Sequence, residues 1–172
     1  MAATPKLPTL PVDRLLKGRH AIASGVPEGL DALLLGELAH HTATPATARP
    51  ILHIARDANR LATLEEALSF FAPDVTVLSF PAWDGVPYDR VAPNAETIAR
   101  RISTLAELTS RAHDDGKPLV VLTTVHAVLQ RVPTRDFIAA SSLKLAPGNV
   151  MTMQALIERL ETSGYGLSLI HI

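Results

Sequence analysis

Cysteine is missing from all 172 residues. That excludes a disulfide framework and any thiolate metal site. Aromatic residues make up only 4% of the chain, with a single Trp, so the core must be aliphatic. Neither sign of charge prevails: 16 Lys and Arg stand against 17 Asp and Glu, a formal net charge of −1. A whole-domain electrostatic footprint for nucleic acid is therefore lacking, which leaves room only for a local one. No apolar run approaches the ~18 residues of a membrane span. The opening Met1-Ala-Ala-Thr-Pro-Lys-Leu-Pro8 has no apolar stretch of the secretory kind. A cytoplasmic protein with no membrane partner is the expectation. Hydrophobic residues at 47% and charged residues at 19% give an ordinary globular balance. The length suits one domain, or one and a fraction.

The periodicities alternate between strand and helix. Residues 1–11 hold three prolines and no periodicity, as expected of a flexible leader. His20-Ala-Ile-Ala-Ser24 reads as a short first strand. From Gly29 to His40, the stripe Leu30, Leu33, Leu34 and Leu38 predicts a helix. Ile51–Ala55 reads as a strand, and Asp57 as the N-cap of a helix carrying Leu61, Leu64, Leu68 and Phe71 inward. Val75–Phe80 is a strand, followed by a proline-rich loop. The next helix has Asn94 as its N-cap and Ile98, Ile102, Leu105 and Ala112 on one face. Arg100, Arg101, Glu107 and Arg111 lie off that stripe; Arg100, Arg101, Arg131 and Arg135 would touch phosphate if they shared a face, but the balancing acids favour a solvated surface. Leu119–Thr123 is continuously apolar, as in a strand buried on both faces. Residues 124–132 and 134–140 read as short helices, Leu143–Leu145 as a short strand, and Met151–Ser163 as a helix with Leu156, Ile157 and Leu160 inward. The alternation predicts an α/β fold with a mostly parallel sheet and helices on both faces. It stops near Pro147-Gly148-Asn149. The expected organisation is an α/β subdomain over 12–147 and the start of a second subdomain over 148–166.

Such a sheet invites a phosphate loop after its first strand, and Ser24-Gly-Val-Pro-Glu-Gly29 has the shape. A working loop, G-x-x-x-x-G-K-[ST], needs free backbone N–H groups, a Lys on the phosphate oxygens and a hydroxyl on magnesium. Aligning Gly25 and Gly29 with that pattern puts Leu30 at the Lys position and Asp31 at the hydroxyl position. Pro27 removes a donor, and Glu28 and Asp31 bring negative charge toward a polyanion. The expectation is a degenerate loop that holds no cofactor. His40, His41 and His53 lack the acid that would complete a metal set, so no metal is expected. No catalytic nucleophile motif is present.

The most distinctive stretch is Phe80-Pro-Ala-Trp-Asp-Gly-Val-Pro-Tyr-Asp-Arg-Val-Ala-Pro93. Its prolines fix φ and delete donors, so the loop is stiff. It leaves the C-terminal end of a strand, where α/β proteins place their sites. The plainer reading is a connector with Trp83 plugged into an apolar pocket, Tyr88 beside it, and Asp84 and Asp89 capping backbone N–H groups or pairing with Arg90 or Arg100.

This loop resembles a signature of the transcription-repair coupling factor family, a Pro-x-Trp-Asp/Glu-x-x-Pro-Tyr-Asp element ahead of a helix with Ser-Thr-Leu. Its residues here are Pro81, Trp83, Asp84, Pro87, Tyr88, Asp89 and Arg90, then Ser103-Thr-Leu105. The likeness extends through Ile51–Asp57, Leu68–Pro73 and Leu119–Pro133, roughly residues 12–165 in all. It implies an N-terminal module similar to UvrB, the damage-verifying helicase, but without that protein's nucleotide site. Tyr88–Pro93 runs straight into the helix, leaving no room for the DNA-clamping hairpin of UvrB-like proteins. For the whole family the resemblance implies an ATP- and magnesium-dependent double-stranded DNA translocase. It would displace stalled RNA polymerase and recruit nucleotide excision repair through UvrA. This segment would be a non-catalytic scaffold that packs on other domains of its own chain. The alternative from a different class is a free-standing α/β nucleotide-binding enzyme. Residues 167–172, Leu-Ser-Leu-Ile-His-Ile, depart from the family pattern, and their codons can spell a transposon sequencing adapter. A truncated frame with a non-native tail is the expectation there.

Overall fold

A computed structural model describes residues 12–18, 20–43, 49–85, 93–110, 116–143 and 145–162. The chain forms two compact units, Met1–Val132 and Pro133–Ile172. The first contains α1 (Val12–Lys17), α2 (Leu30–Thr42), β1 (Ile51–Ala55), α3 (Ala58–Phe71), β2 (Thr76–Phe80), α4 (Ala95–Ser110), β3 (Leu119–Thr124) and α5 (Val125–Val128). The second contains α6 (Arg135–Ser141) and α7 (Met153–Thr162).

Three parallel strands make the sheet, in the order β1-β3-β2. The central position of β3 explains its unbroken apolar run, since all six of its residues are buried. Ile51 aligns with Val120, and Val77 aligns with Val120 from the other side. These residues, with Ala55, Val75 and Leu122, face α2 and α3 and form the main core with Leu61, Leu64 and Leu68. The opposite face presents Leu52, Phe80, Val121 and Thr123 toward α4 and α5. The sheet is thus parallel with helices on both faces, as the alternation predicts. In the second unit, Ile138 of α6 is buried, whereas α7 has no buried residue. There Leu156 and Ile157 are half-buried, and Leu160 is exposed.

Local start signals act as the sequence predicts. The Asp57 carboxylate accepts from the Arg60 N–H at 2.8 Å, and the Asn94 Oδ1 accepts from the Glu96 N–H at 2.9 Å. Several expectations are corrected. His20–Ser24 is not a strand; it has no regular structure, and Ile22 is 94% exposed. Alanine has little strand propensity, and the run finds no strand to pair with among the described residues. Leu143 and Leu145 lie in no strand either. In α2 the buried residues are Ala32, Leu35, Gly36 and Ala39, not the Leu30, Leu33, Leu34 and Leu38 stripe. The helix is apolar on most sides, so its period could not choose the face. Small residues win because they let α3 come close: a Cβ on Gly36 would meet the Ala72 Cβ at 2.8 Å. Phe71 is half-exposed at the end of α3, edge-on to Phe70 at 5.1 Å. In α4, Ile98 and Ile102 are exposed, and Arg101 and Thr104 are buried instead.

Candidate functional site

Two places near the C-terminal ends of the strands gather polar side chains. The first lies beside β1. Gly25 and Gly29 both adopt positive φ, 69° and 91°, so the loop before α2 turns tightly. The Asp31 Oδ1 then folds back to accept from the N–H groups of Gly29 at 3.1 Å and Ala32 at 3.0 Å. The Leu30 N–H donates to the Pro27 carbonyl at 3.1 Å. The Gly29, Leu30 and Ala32 N–H groups at this turn are therefore taken from within. Arg60, projecting from α3, donates to Glu28 Oε1 at 2.7 Å and to Asp31 Oδ2. An open recess of about 490 Å³ lies here, lined by Glu28, Asp31, His53, Arg56 and Arg60 among others. Burial pushes the His53 imidazole below its usual pKa, against the opposing pull of Asp31. Leu30 brings no charge to the recess. Gly25, Gly29, Leu30 and Asp31 thus share a loop beside Arg60, which two carboxylates hold, and Arg56, the other arginine of the recess, pairs with Asp57 at 2.9 Å.

His40 is a separate matter. Its Nε2 donates to Asp74 Oδ2 at 2.6 Å and its Nδ1 to the Gly36 carbonyl at 2.7 Å. Both ring nitrogens thus face oxygen acceptors, an arrangement that favours the imidazolium form. The hydrogen bond to Asp74 chiefly raises the His40 pKa, and the same bond lowers that of Asp74. The acid that sequence spacing failed to offer this histidine comes from 34 residues away. Among the described residues, no group of three His, Asp or Glu side chains is arranged to hold a metal.

The second place is the proline loop after β2. Pro81, Trp83 and Asp84 are described; Pro87, Tyr88, Asp89 and Arg90 lie outside the described residues. Arg101 organises this end of the loop. Only 2% of it is exposed. Its guanidinium carbon sits 4.1 Å from the Phe80 ring centroid and 4.2 Å from that of Trp83. The planar cation is thus sandwiched between the last residue of β2 and the loop aromatic. The Arg101 Nη1 donates to the Pro81 carbonyl at 2.6 Å and to Gln130 Oε1 at 3.0 Å. The same Gln130 oxygen accepts the Trp83 N–H at 3.2 Å. Burial pushes the Arg101 pKa below the usual arginine value. Asp84 holds the far side of the loop: its carboxylate oxygens accept from the Asn94 N–H at 3.2 and 3.1 Å, just ahead of α4.

Trp83 is therefore packed, as expected, but against a cation rather than in an apolar pocket. The expectation that Arg101 belongs to a solvated surface is overturned. Arg100 does face outward, pairing with Glu96 at 3.2 Å and Glu65 at 3.8 Å. Sequence reasoning followed the Ile98 and Ile102 stripe and missed Arg101. The available signal was the single Trp beside a helix carrying Arg and, three residues on, Thr. That helix face meets the strand ends, where the Thr104 hydroxyl donates to the Ser79 carbonyl at 2.7 Å.

These features define an α/β domain with a parallel sheet and a glycine turn whose Gly29, Leu30 and Ala32 N–H groups are bonded from within. No family model matches the chain. Its sequence is similar to transcription-repair-coupling factors, in line with the proline-loop resemblance. It is 32% identical over 106 residues to the factor of Rickettsia prowazekii, covering 62% of this chain and 9% of that protein. It is 27% identical over 157 residues to the factor of Escherichia coli, covering 91% of this chain and 12% of that one. The factor of Haemophilus influenzae is 28% identical over 167 residues, with 94% and 13% covered. The chain spans about a tenth of the length of these relatives.

Proposed function

We propose that this chain is the N-terminal part of a transcription-repair-coupling factor and acts there as a non-catalytic scaffold and regulatory module. The whole protein would use ATP and magnesium in motor domains elsewhere in its sequence. It would translocate on double-stranded DNA, displace stalled RNA polymerase and recruit nucleotide excision repair through UvrA. Residues 12–147 would form the UvrB-like subdomain and 148–166 the start of the next. We place the protein in the cytoplasm; among the described residues no helix is long and apolar enough to cross a membrane.

The observation that carries the non-catalytic reading is the Asp31 carboxylate on the Gly29 and Ala32 amides. A triphosphate would have to expel that carboxylate and then lie beside Glu28. Two negative charges a few ångströms from a polyanion oppose it, and Arg60 is already neutralised. Titration of the chain with a fluorescent ATP analogue, with and without magnesium, tests the reading. No saturable binding is expected. Micromolar binding that requires magnesium would replace it with the free-standing nucleotide-binding enzyme.

A further inference from the structure

Arg101 carries more hydrogen-bonding capacity than its surroundings use. A guanidinium has five N–H donors, one on Nε and two on each Nη. Both donors of Nη1 are taken, by the Pro81 carbonyl at 2.6 Å and by Gln130 Oε1 at 3.0 Å. No described residue accepts from Nε or Nη2. Burial is the one influence that shifts the Arg101 pKa, and no acid pulls against it. The charge is thus 2% exposed and has no anionic partner among the described residues. A buried cation in that state is costly until a negative group meets it. Neither free nitrogen is sealed off, because among the described residues Ser79 Oγ is the one fully enclosed side-chain polar atom without a partner.

We propose that the Nε–Nη2 edge of Arg101 is a recognition site for a carboxylate, supplied by an Asp or Glu side chain of another polypeptide segment. The stacking decides the direction of approach. Phe80 and Trp83 cover the guanidinium at 4.1 and 4.2 Å, so a further partner must come in the plane of the group. Nη1 is full, which leaves the edge shared by Nε and Nη2. The parallel N–H vectors of that edge match the two oxygens of a planar carboxylate. Pro81 and Gln130 already hold the group in place, so little side-chain freedom is lost on binding. The surroundings favour one negative charge over several. Arg100, the adjoining cation, is paired with Glu96 and Glu65. Asp84 at the loop and Glu96 in the first turn of α4 add negative charge of their own. A phosphate would gain one arginine and meet those acids, whereas a single carboxylate neutralises the arginine without excess.

The test is titration of the isotope-labelled chain with sodium acetate at constant ionic strength, followed by the Arg101 Nε–H resonance. Trp83, the single Trp of the chain and in contact with the guanidinium, gives a second signal by fluorescence. Acetate should move the Nε–H resonance downfield and saturate with a dissociation constant of roughly 10 mM, as one charge-assisted contact gives. The blocked peptide acetyl-Gly-Glu-Gly-amide should do the same, and its Gln counterpart should not. Arg101→Lys keeps the charge without the fork and should weaken acetate binding roughly tenfold, while Arg100→Gln leaves it unchanged. If Arg101→Lys does not fold, the contrast between the Glu and Gln peptides on the natural chain gives the reading. An Nε–H resonance that stays still up to about 100 mM acetate overturns the proposal. So does phosphate binding as tightly as acetate, or acetate binding that is lost in Arg100→Gln. A response to free acetate with none to the Glu peptide overturns it as well, since the site would then take only a small ion.

Discussion

The Arg101 guanidinium carbon lies 4.2 Å from the Trp83 ring centroid, with the Phe80 ring 4.1 Å from the same carbon. A buried cation is costly unless its donors are satisfied. Here the Pro81 carbonyl and the Gln130 carboxamide accept from it, and the two rings supply the negative faces of their quadrupoles. The first turns of α4 are thereby fastened to the loop that carries the sequence signature.

Arg101→Lys keeps the charge but loses the flat surface that stacks between rings. It is expected to cost about 1–2 kcal/mol, in the range of a partly desolvated cation–π contact. Trp83→Ala should cost about 1–3 kcal/mol, less than for a fully buried aromatic, because Trp83 is only half-buried. In the double mutant the two costs should fail to add by about 1 kcal/mol. Urea denaturation of the four proteins measures this. Strict additivity would mean that Trp83 and Arg101 act independently.

Gly36→Ala sets two effects against each other. Alanine favours a helix interior over glycine by about 0.5–1 kcal/mol. The new Cβ, however, would meet the Ala72 Cβ at 2.8 Å, well inside contact distance. Overpacking costs typically 1–3 kcal/mol, so net destabilisation of about 1 kcal/mol is expected. Adding Ala72→Gly should recover part of it by making room. A more stable Gly36→Ala protein would show that α2 and α3 separate freely.

The His40–Asp74 contact makes a small pH-dependent contribution. The folded pKa of His40 lies above its usual 6.5, chiefly through the hydrogen bond to Asp74. A raised pKa means that the imidazolium is favoured by folding. Its contribution is fully present below the unfolded pKa of about 6.5 and is lost as pH rises through the folded value. The Asp74 carboxylate is held below its ordinary pKa by the same bond, so its share is lost only in more acid solution, as pH falls through that depressed value. The stability gap between the natural chain and His40→Gln should therefore be widest in mildly acid solution and close toward alkaline pH. Thermal melts across that range check it; a gap that widens with pH would reverse the assignment.

Much of the fold could be read from local chemistry. A strand with six consecutive buried residues reads as apolar without reference to anything else, and β3 sits where such a strand must. Asp57 and Asn94 cap because a short side-chain oxygen satisfies nearby N–H groups, a matter of three residues. Leu30 and Asp31 also show from sequence that an apolar and an acidic side chain stand where a phosphate loop carries Lys and a hydroxyl, since side-chain charge needs no coordinates.

Tertiary structure decided what depends on partners far along the chain. The buried face of α2 follows from how closely Gly36 can approach Ala72, and an all-round apolar helix carries no period that could announce it. His20–Ser24 is a short apolar run, yet strands exist only in pairs, and pairing is not local. Asp31 fills the helix amides in company with Arg60, which comes from 29 residues away. Arg101 looked like a surface charge because its residue type prefers water. Two rings and two oxygens, brought together from β2, the proline loop and Gln130, replace that water, and only the folded chain assembles them.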